Sequence, residues 1–261
     1  MSKIRLGGMA LSNGVLVHGP TSWACAIRTS SGEIKIAAAR KRLLAPRIQQ
    51  PFLRGPLRLA ESFAMIPELR RKLPEARLPF ERPSVLAATL ASALSVRAIR
   101  SSGRLGDVAR ELLSGTLSLA PAVLALRGGD LAAYHGAEHV SIGTYEHGEK
   151  RAKEHERCGS HLIGPLLVAT AAGNILASRA PAHLRGPARV AGSLGAVGTA
   201  VEVFAWMTRH PGHPIAKALA FPGHELQHRI ATAEPSAEQL EVAEAALAAC
   251  LELEDGDTRA H

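Results

Sequence analysis

The sequence predicts a mainly α-helical protein with a small N-terminal β unit, its helices gathered into a membrane-embedded bundle of about four apolar segments. Three observations predict it. The 261-residue chain is 46% hydrophobic but only 3% aromatic, so its apolar content is Ala, Leu and Val, as in closely packed helices whose small side chains let backbones approach. Four apolar stretches, Ser84 to Ile99, Leu112 to Leu126, Leu162 to Ser178 and Val190 to Met207, come near the roughly 20 residues that cross a bilayer. Ahead of them, from Leu6 to Ile36, short apolar runs are punctuated by Gly7-Gly8, Asn13-Gly14, Gly19-Pro20 and Ser31-Gly32, the turn chemistry of an antiparallel β unit. A soluble Ala-rich bundle is the competing architecture.

The β unit and a basic linker occupy residues 1–50. Trp23, Cys25 and Ile27 alternate with Ala24, Ala26 and Arg28, which places the first set on a buried face. Residues 51–83 hold an amphipathic helix, Leu57 to Arg71, broken at Pro67 and suited to a bilayer surface, then a stiff connection through Pro74, Pro79 and Pro83. Residues 84–230 form the helical membrane core around a polar centre at 134–160. With four spans, the N-terminus, the central His-rich loop and the C-terminus share one side, expected to be cytoplasmic. The opposite connections, Arg100 to Arg110 and Arg179 to Arg189, are also basic, so the positive-inside comparison does not decide orientation. In residues 231–261, Ser236 and Gln239 make a capping box, Leu240, Ala243, Leu247 and Leu251 share a helical face, and a polar tail follows from Glu254.

A formal charge of +8 suits either nucleic acid or an anionic lipid surface. The basic runs Arg40-Lys41-Arg42 and Arg70-Arg71-Lys72 stand beside apolar segments without interleaved aromatics, which favours membrane lipids and gives no nucleic-acid signature. Three cysteines, Cys25, Cys158 and Cys250, leave one over in any disulfide scheme, and no apolar secretory run opens the chain; a reducing, cytoplasmic-side location is expected. Only Cys158 has a polar, His-rich context.

The chemistry concentrates in Tyr134-His135-Gly136-Ala137-Glu138-His139. On a helix His135 and His139 share a face and can both point at one divalent ion, zinc by motif, while Glu138 serves as general base towards water, a hydrolase arrangement. Gly136 and Ala137 permit close packing on the rest of the turn. A catalytic zinc site takes a third protein ligand. Glu202 is the leading choice, as the sole acid in Val190 to Met207, where a carboxylate is costly without a partner. Cys158 and His155 are the alternatives, and Tyr134 and Glu146 lie near enough along the helix to contribute. A rival motif, His224-Glu225-Leu226-Gln227-His228, has the H-E-x-x-H spacing but follows Pro222-Gly223. A non-enzymatic membrane scaffold or regulator, with a structural metal or a hydrogen-bonded His/Glu cluster, is the opposing reading.

Several stretches together resemble one family. Gly7-Gly8, Gly14-Val15, Gly19-Pro20, Trp23-Ala24 and Gly32-Glu33-Ile34 are followed by Pro51-Phe52-Leu53-Arg54-Gly55 and Glu61-Ser62, then Tyr134 to His139, Tyr145-Glu146, Arg157-Cys158-Gly159, Glu202 and Glu234-Pro235. This series is similar to the YqhQ-like bacterial membrane proteins, domain-of-unknown-function family 1385. The resemblance implies an integral membrane protein with a cytoplasmic-facing His/Glu/Cys centre and metal dependence, and leaves the reaction open. Two positions depart from the family pattern: Asn13 stands where a Glu is usual and His18 where a basic residue is usual. The motif at His224 is not part of that pattern.

Overall fold

A computed structural model describes residues 3–42, 50–127 and 129–258, so most of the basic linker expected before residue 51 lies outside the described residues. Four strands, β1 (Gly7–Leu11), β2 (Gly14–His18), β3 (Ser22–Arg28) and β4 (Ile34–Arg40), form an antiparallel meander in chain order. Register follows the turns: Leu11 pairs with Gly14 and His18 with Trp23. Among the described residues ten α-helices follow: α1 (Arg54–Ala64), α2 (Ile66–Lys72), α3 (Pro83–Ser101), α4 (Asp107–Ser118), α5 (Ala120–Leu126), α6 (Gly129–His147), α7 (Ile163–Ser178), α8 (Arg185–Arg209), α9 (Pro214–Leu226) and α10 (Ala237–Thr258).

The period of two along the strands sorts side chains between two cores. Leu11, Leu16, Trp23, Cys25 and Ile27 face α2 and the segment after it, packing on Met65, Leu69, Leu73 and Leu78. Val15, Val17, Ala24 and Ala26 face the other way, onto Leu131, Tyr134 and Ala137 of α6 and Val242, Ala243, Ala246 and Cys250 of α10. The sheet is thus covered on both sides. The small residues opposite Trp23, Cys25 and Ile27 are not a weak outer face but the seat of two helices, which Ala allows to approach closely.

Helix α10 is started by the expected capping box: Gln239 Oε1 accepts from the Ser236 N–H at 2.9 Å, and Ser236 Oγ from the Gln239 N–H at 3.3 Å. Its buried stripe is Val242, Ala243, Ala246 and Cys250, with Leu240, Leu247 and Leu251 only partly buried beside it. The polar tail expected from Glu254 is instead helix through Thr258. Glu254 is buried and accepts from the backbone N–H groups of Thr21 and Ser22 at 2.9 and 2.7 Å and from the Ser22 hydroxyl at 2.6 Å. A carboxylate thereby caps the β2–β3 turn.

The amphipathic helix breaks where Pro67 required, into α1 and α2 with Pro67 in the first turn of α2. The segment expected at Leu112 to Leu126 divides near Pro121 into α4 and α5. Among the described residues three stretches rather than four are long and apolar enough to cross a membrane: Asp107–Leu126, Gly159–Ser178 and Ala182–Arg209. Helix α3 is long but falls outside this set, Arg97 and Arg100 diluting its apolar content. At most 28% of the apolar window in any of the three is buried within the protein. Leu112, Leu113, Val168, Leu176, Val190 and Leu194 are exposed on them, as are Leu86, Leu90 and Leu94 on α3. Exposed apolar side chains in this number are a mark of surfaces that meet a membrane or a partner.

Acids inside these stretches are partnered, as their desolvation demands. Glu111 accepts from Asn174 Nδ2 at 2.8 Å and pairs with Arg100 at 3.1 Å. Glu202 binds Arg54 through two hydrogen bonds, Nε to Oε1 at 2.7 Å and Nη2 to Oε2, and also accepts from the Phe52 N–H at 3.2 Å.

Two outcomes are expected. The protein sediments with membranes, resists release by high salt and leaves them in detergent; recovery as a soluble monomer after lysis would remove the membrane reading. Glu254→Ala, which strands two buried N–H donors, costs about 2–3 kcal/mol, read as a lowered thermal midpoint of the detergent-solubilised protein against wild type.

Candidate metal centre

The centre is built on α6, where spacings of three and four stack His135, Glu138 and His139 on one face while Tyr134 and Ala137 pack into the sheet core. Close approach is possible because of Gly136: a Cβ there would lie 2.1 Å from the Ala233 carbonyl oxygen. That contact brings the chain after α9 against α6. A π-helical turn, Gln227–Ala231, ends α9 and directs the Ala231 carbonyl at His135 Nδ1, 2.8 Å away. On the other side, the loop from α6 to α7 sets the Lys153 carbonyl 2.6 Å from His139 Nδ1.

These two carbonyls fix both tautomers. Each Nδ1 must donate, so it is Nε2 that carries the lone pair in the neutral form of either ring. Burial first, and then the neighbouring His135, hold the His139 pKa far below its ordinary value, which keeps the ring neutral. The Cys158 Sγ lies 3.6 Å from His135 Nε2, and one donor atom each from His135, His139 and Cys158 falls within 4.8 Å of the others. A tetrahedral zinc with usual Zn–N and Zn–S lengths separates N from S by about 3.6 Å. The donor set therefore fits a divalent ion of borderline softness. Burial raises the Cys158 thiol pKa, so a cation is the natural partner for its thiolate.

These residues line a cavity of about 350 Å³ whose opposite wall is Gly7 to Ala10 of β1. Glu138 lies over Gly8, where a Cβ would sit 2.4 Å from its Oε1; only a glycine leaves room for the carboxyl. Desolvation raises the Glu138 pKa to about 7, against a lowering by His135. His18 joins the same wall, its Nδ1 accepting from Lys41 Nζ at 3.1 Å while Lys41 pairs with Glu61 at 3.0 Å.

Gln227 holds the Cys158 loop in place. It is fully buried, its Oε1 accepts from the His155 N–H at 2.9 Å, and its Nε2 donates to Ser160 Oγ at 2.7 Å. Glu146 braces the same loop through Arg157 and through His155 Nε2 at 3.2 Å.

Residues 130–253 match the model of a family described as protein of unknown function DUF1385. Over these residues the chain is similar to that family. The DUF1385 stretch runs from α6 into α10 and holds His135, Glu138, His139, Cys158 and Gln227, whereas the β1 wall and His18 lie before it. None of the curated proteins and none of the solved structures matches.

Within the DUF1385 stretch the expected site residues separate into three groups. His135, His139 and Cys158 come together, with Glu138 on the cavity they line. His155 stands one step back, its ring centroid 5.6 Å from that of His139, and its Nε2 is taken by Glu146. Tyr134, Glu202, His224 and His228 are elsewhere. Tyr134 is a core residue. Glu202, expected as third ligand, is bound by Arg54 instead; the demand for a cation inside an apolar helix was real, but a guanidinium meets it. His224 and His228 stack at 6.3 Å between centroids, and the exposed His228 is engaged by Glu154 at 3.0 Å. The π turn breaks the helical repeat between them and leaves their motif to contribute its Gln. Asn13, the departure ahead of the stretch, is structural: its Oδ1 accepts from the Arg77 N–H at 2.9 Å and its Nδ2 donates to the Glu75 carbonyl at 3.1 Å. It takes no part in lining the cavity.

Gln227→Leu keeps the volume and removes the side-chain hydrogen bonds to His155, Ser160 and His161. Metal affinity, measured by competition with a chromophoric chelator, is expected to fall about 10- to 100-fold, as when a support behind a ligand is lost. Unchanged affinity would show that the loop is held without it.

Proposed function

We propose that this is a membrane-bound metalloenzyme of the hydrolase class in which His135, His139 and Cys158 hold one divalent ion, zinc by its donor chemistry, and Glu138 moves the proton. One observation carries the reading: two imidazoles with tautomers fixed by backbone carbonyls converge with a thiol on a cavity that also holds a carboxyl of near-neutral pKa. An ion bound by these three donors supplies Lewis-acid chemistry, polarising an oxygen and acidifying water.

The residues do the rest. A carboxyl with a pKa of about 7 both accepts and returns a proton near neutral pH, as a general base and then acid must. Gly8 sets the depth at which it sits. Three protein donors beside a cavity support an enzyme over a closed, four-ligand structural site. The free state of Cys25, Cys158 and Cys250 and the three apolar stretches support a place in the cytoplasmic membrane with the centre on its reducing side.

Metal analysis of the purified protein tests this directly. Wild type is expected to carry one divalent ion per chain, His139→Ala to lose it, and His228→Ala to keep it. Because the thiol must ionise to bind, each ion displaces a proton below the raised Cys158 pKa, so affinity should rise about tenfold per pH unit between pH 6 and 8. Cys158→Ser should flatten that slope. Equal metal loss in the His139 and His228 variants, or a metal-free wild type, would overturn the assignment.

A further inference from the structure

Three cavities meet at Arg157. The metal-side cavity shares His155 and Arg157 with a larger vestibule of about 750 Å³. That vestibule in turn shares Glu156, Arg157 and His161 with a groove of about 220 Å³ between α8 and α9. The chemistry changes along this path. The groove is walled mostly by apolar groups, among them Phe204, Met207, Ala216 and Ala220, and it lies at the end of α8, one of the three stretches able to cross a membrane.

The vestibule carries the cations Lys3, Arg5, Arg151 and Arg157 against three carboxylates. Two of those are already engaged, Glu146 by Arg157 and His155, and Glu154 by His228. Arg5 forms no ion pair among the described residues and is close enough to Arg157 for the two charges to repel. Arg157 spends part of its fork on Glu146 and Arg5 none of its own on an ion pair among the described residues, so even with Glu156 nearby N–H donors remain for a further anion, and phosphoryl oxygens match that fork.

We infer that the protein binds an amphiphilic anion, a membrane lipid with a phosphoryl head group, its head held by Arg5 and Arg157 and the start of an acyl chain in the α8–α9 groove. The shared wall at His155 and Arg157 then presents the head group to the centre at His135, His139 and Cys158. The lipid's being a substrate rests on the metallohydrolase reading; its binding rests on the vestibule and groove alone.

The test uses the full chain in a neutral detergent, with dioctanoyl phosphatidic acid, dioctanoylglycerol and inorganic phosphate as titrants, in EDTA-treated and in zinc-loaded protein. Dioctanoyl phosphatidic acid is expected to bind at least about tenfold more tightly than either of the others, one charge-assisted contact being worth that much. Arg5→Gln should weaken both the lipid and inorganic phosphate about tenfold. Ala220→Trp, which fills the groove, should weaken the lipid alone, retained phosphate binding showing that the variant is folded. Inorganic phosphate binding as tightly as the lipid would remove the groove from the proposal, and dioctanoylglycerol doing so would remove the head-group site; either result overturns it, as does wild-type lipid affinity in both variants. Lipid binding that persists in EDTA-treated protein and in His139→Ala separates this inference from the metal assignment: either can fail while the other stands.

Discussion

Two backbone carbonyls determine what the centre can be. An imidazole on a buried helix face can present either nitrogen, and nothing on α6 itself chooses between them. The choice is made from outside, by the oxygens of Ala231 and Lys153 at 2.8 and 2.6 Å. Both carbonyls belong to segments without regular helical bonding, one at the end of a π turn and one in the loop after α6, where a carbonyl is free to point at a side chain. The need to bring those segments against α6 explains the glycine at 136, the small residues behind it and the fully buried Gln227.

The same need explains the layers around the sheet. Helix α6 must have its apolar side covered and its polar side enclosed. Ala24 and Ala26 of the sheet, with α10, cover the first, and β1 supplies the far wall of the cavity on the second. The N-terminal strands, which carry none of the three donors, still shape the space in front of them.

Much of this was legible in the sequence, and the failures have physical causes. Helices with apolar faces, the strand unit with its turns, the Ser236 capping box and the His135/Glu138/His139 face all follow from local spacing, which a chain states directly. The third member of the cluster, Cys158, did not. Glu202 and Cys158 were both reasonable, and the choice turned on whether a cation from another helix could reach Glu202; Arg54 is 148 residues away in sequence, and no periodicity reports such a pairing. The motif at His224 misled because its spacing presumes an unbroken α-helix, whereas the turn widens there. Gln227 gave no signal at all, since a lone Gln beside charged residues reads as surface, and only its burial shows its role. The polar reading of Glu254 failed similarly: the backbone N–H groups that receive its carboxylate belong to a turn more than two hundred residues earlier.

That last pairing bears on how the molecule is put together. The inner face of the sheet, Val15, Val17, Ala24 and Ala26, is closed by α6 together with the 22 residues of α10. On a ribosome the strands emerge before α10. The sheet therefore waits, with part of one face uncovered, while every apolar helix between them is synthesised. Contacts of such long sequence separation form slowly, and the cavity walled by β1 cannot take its final shape before them. The cluster on α6 is fully enclosed only once α10 has been made, so a nascent chain that stops short of α10 lacks the closed cavity.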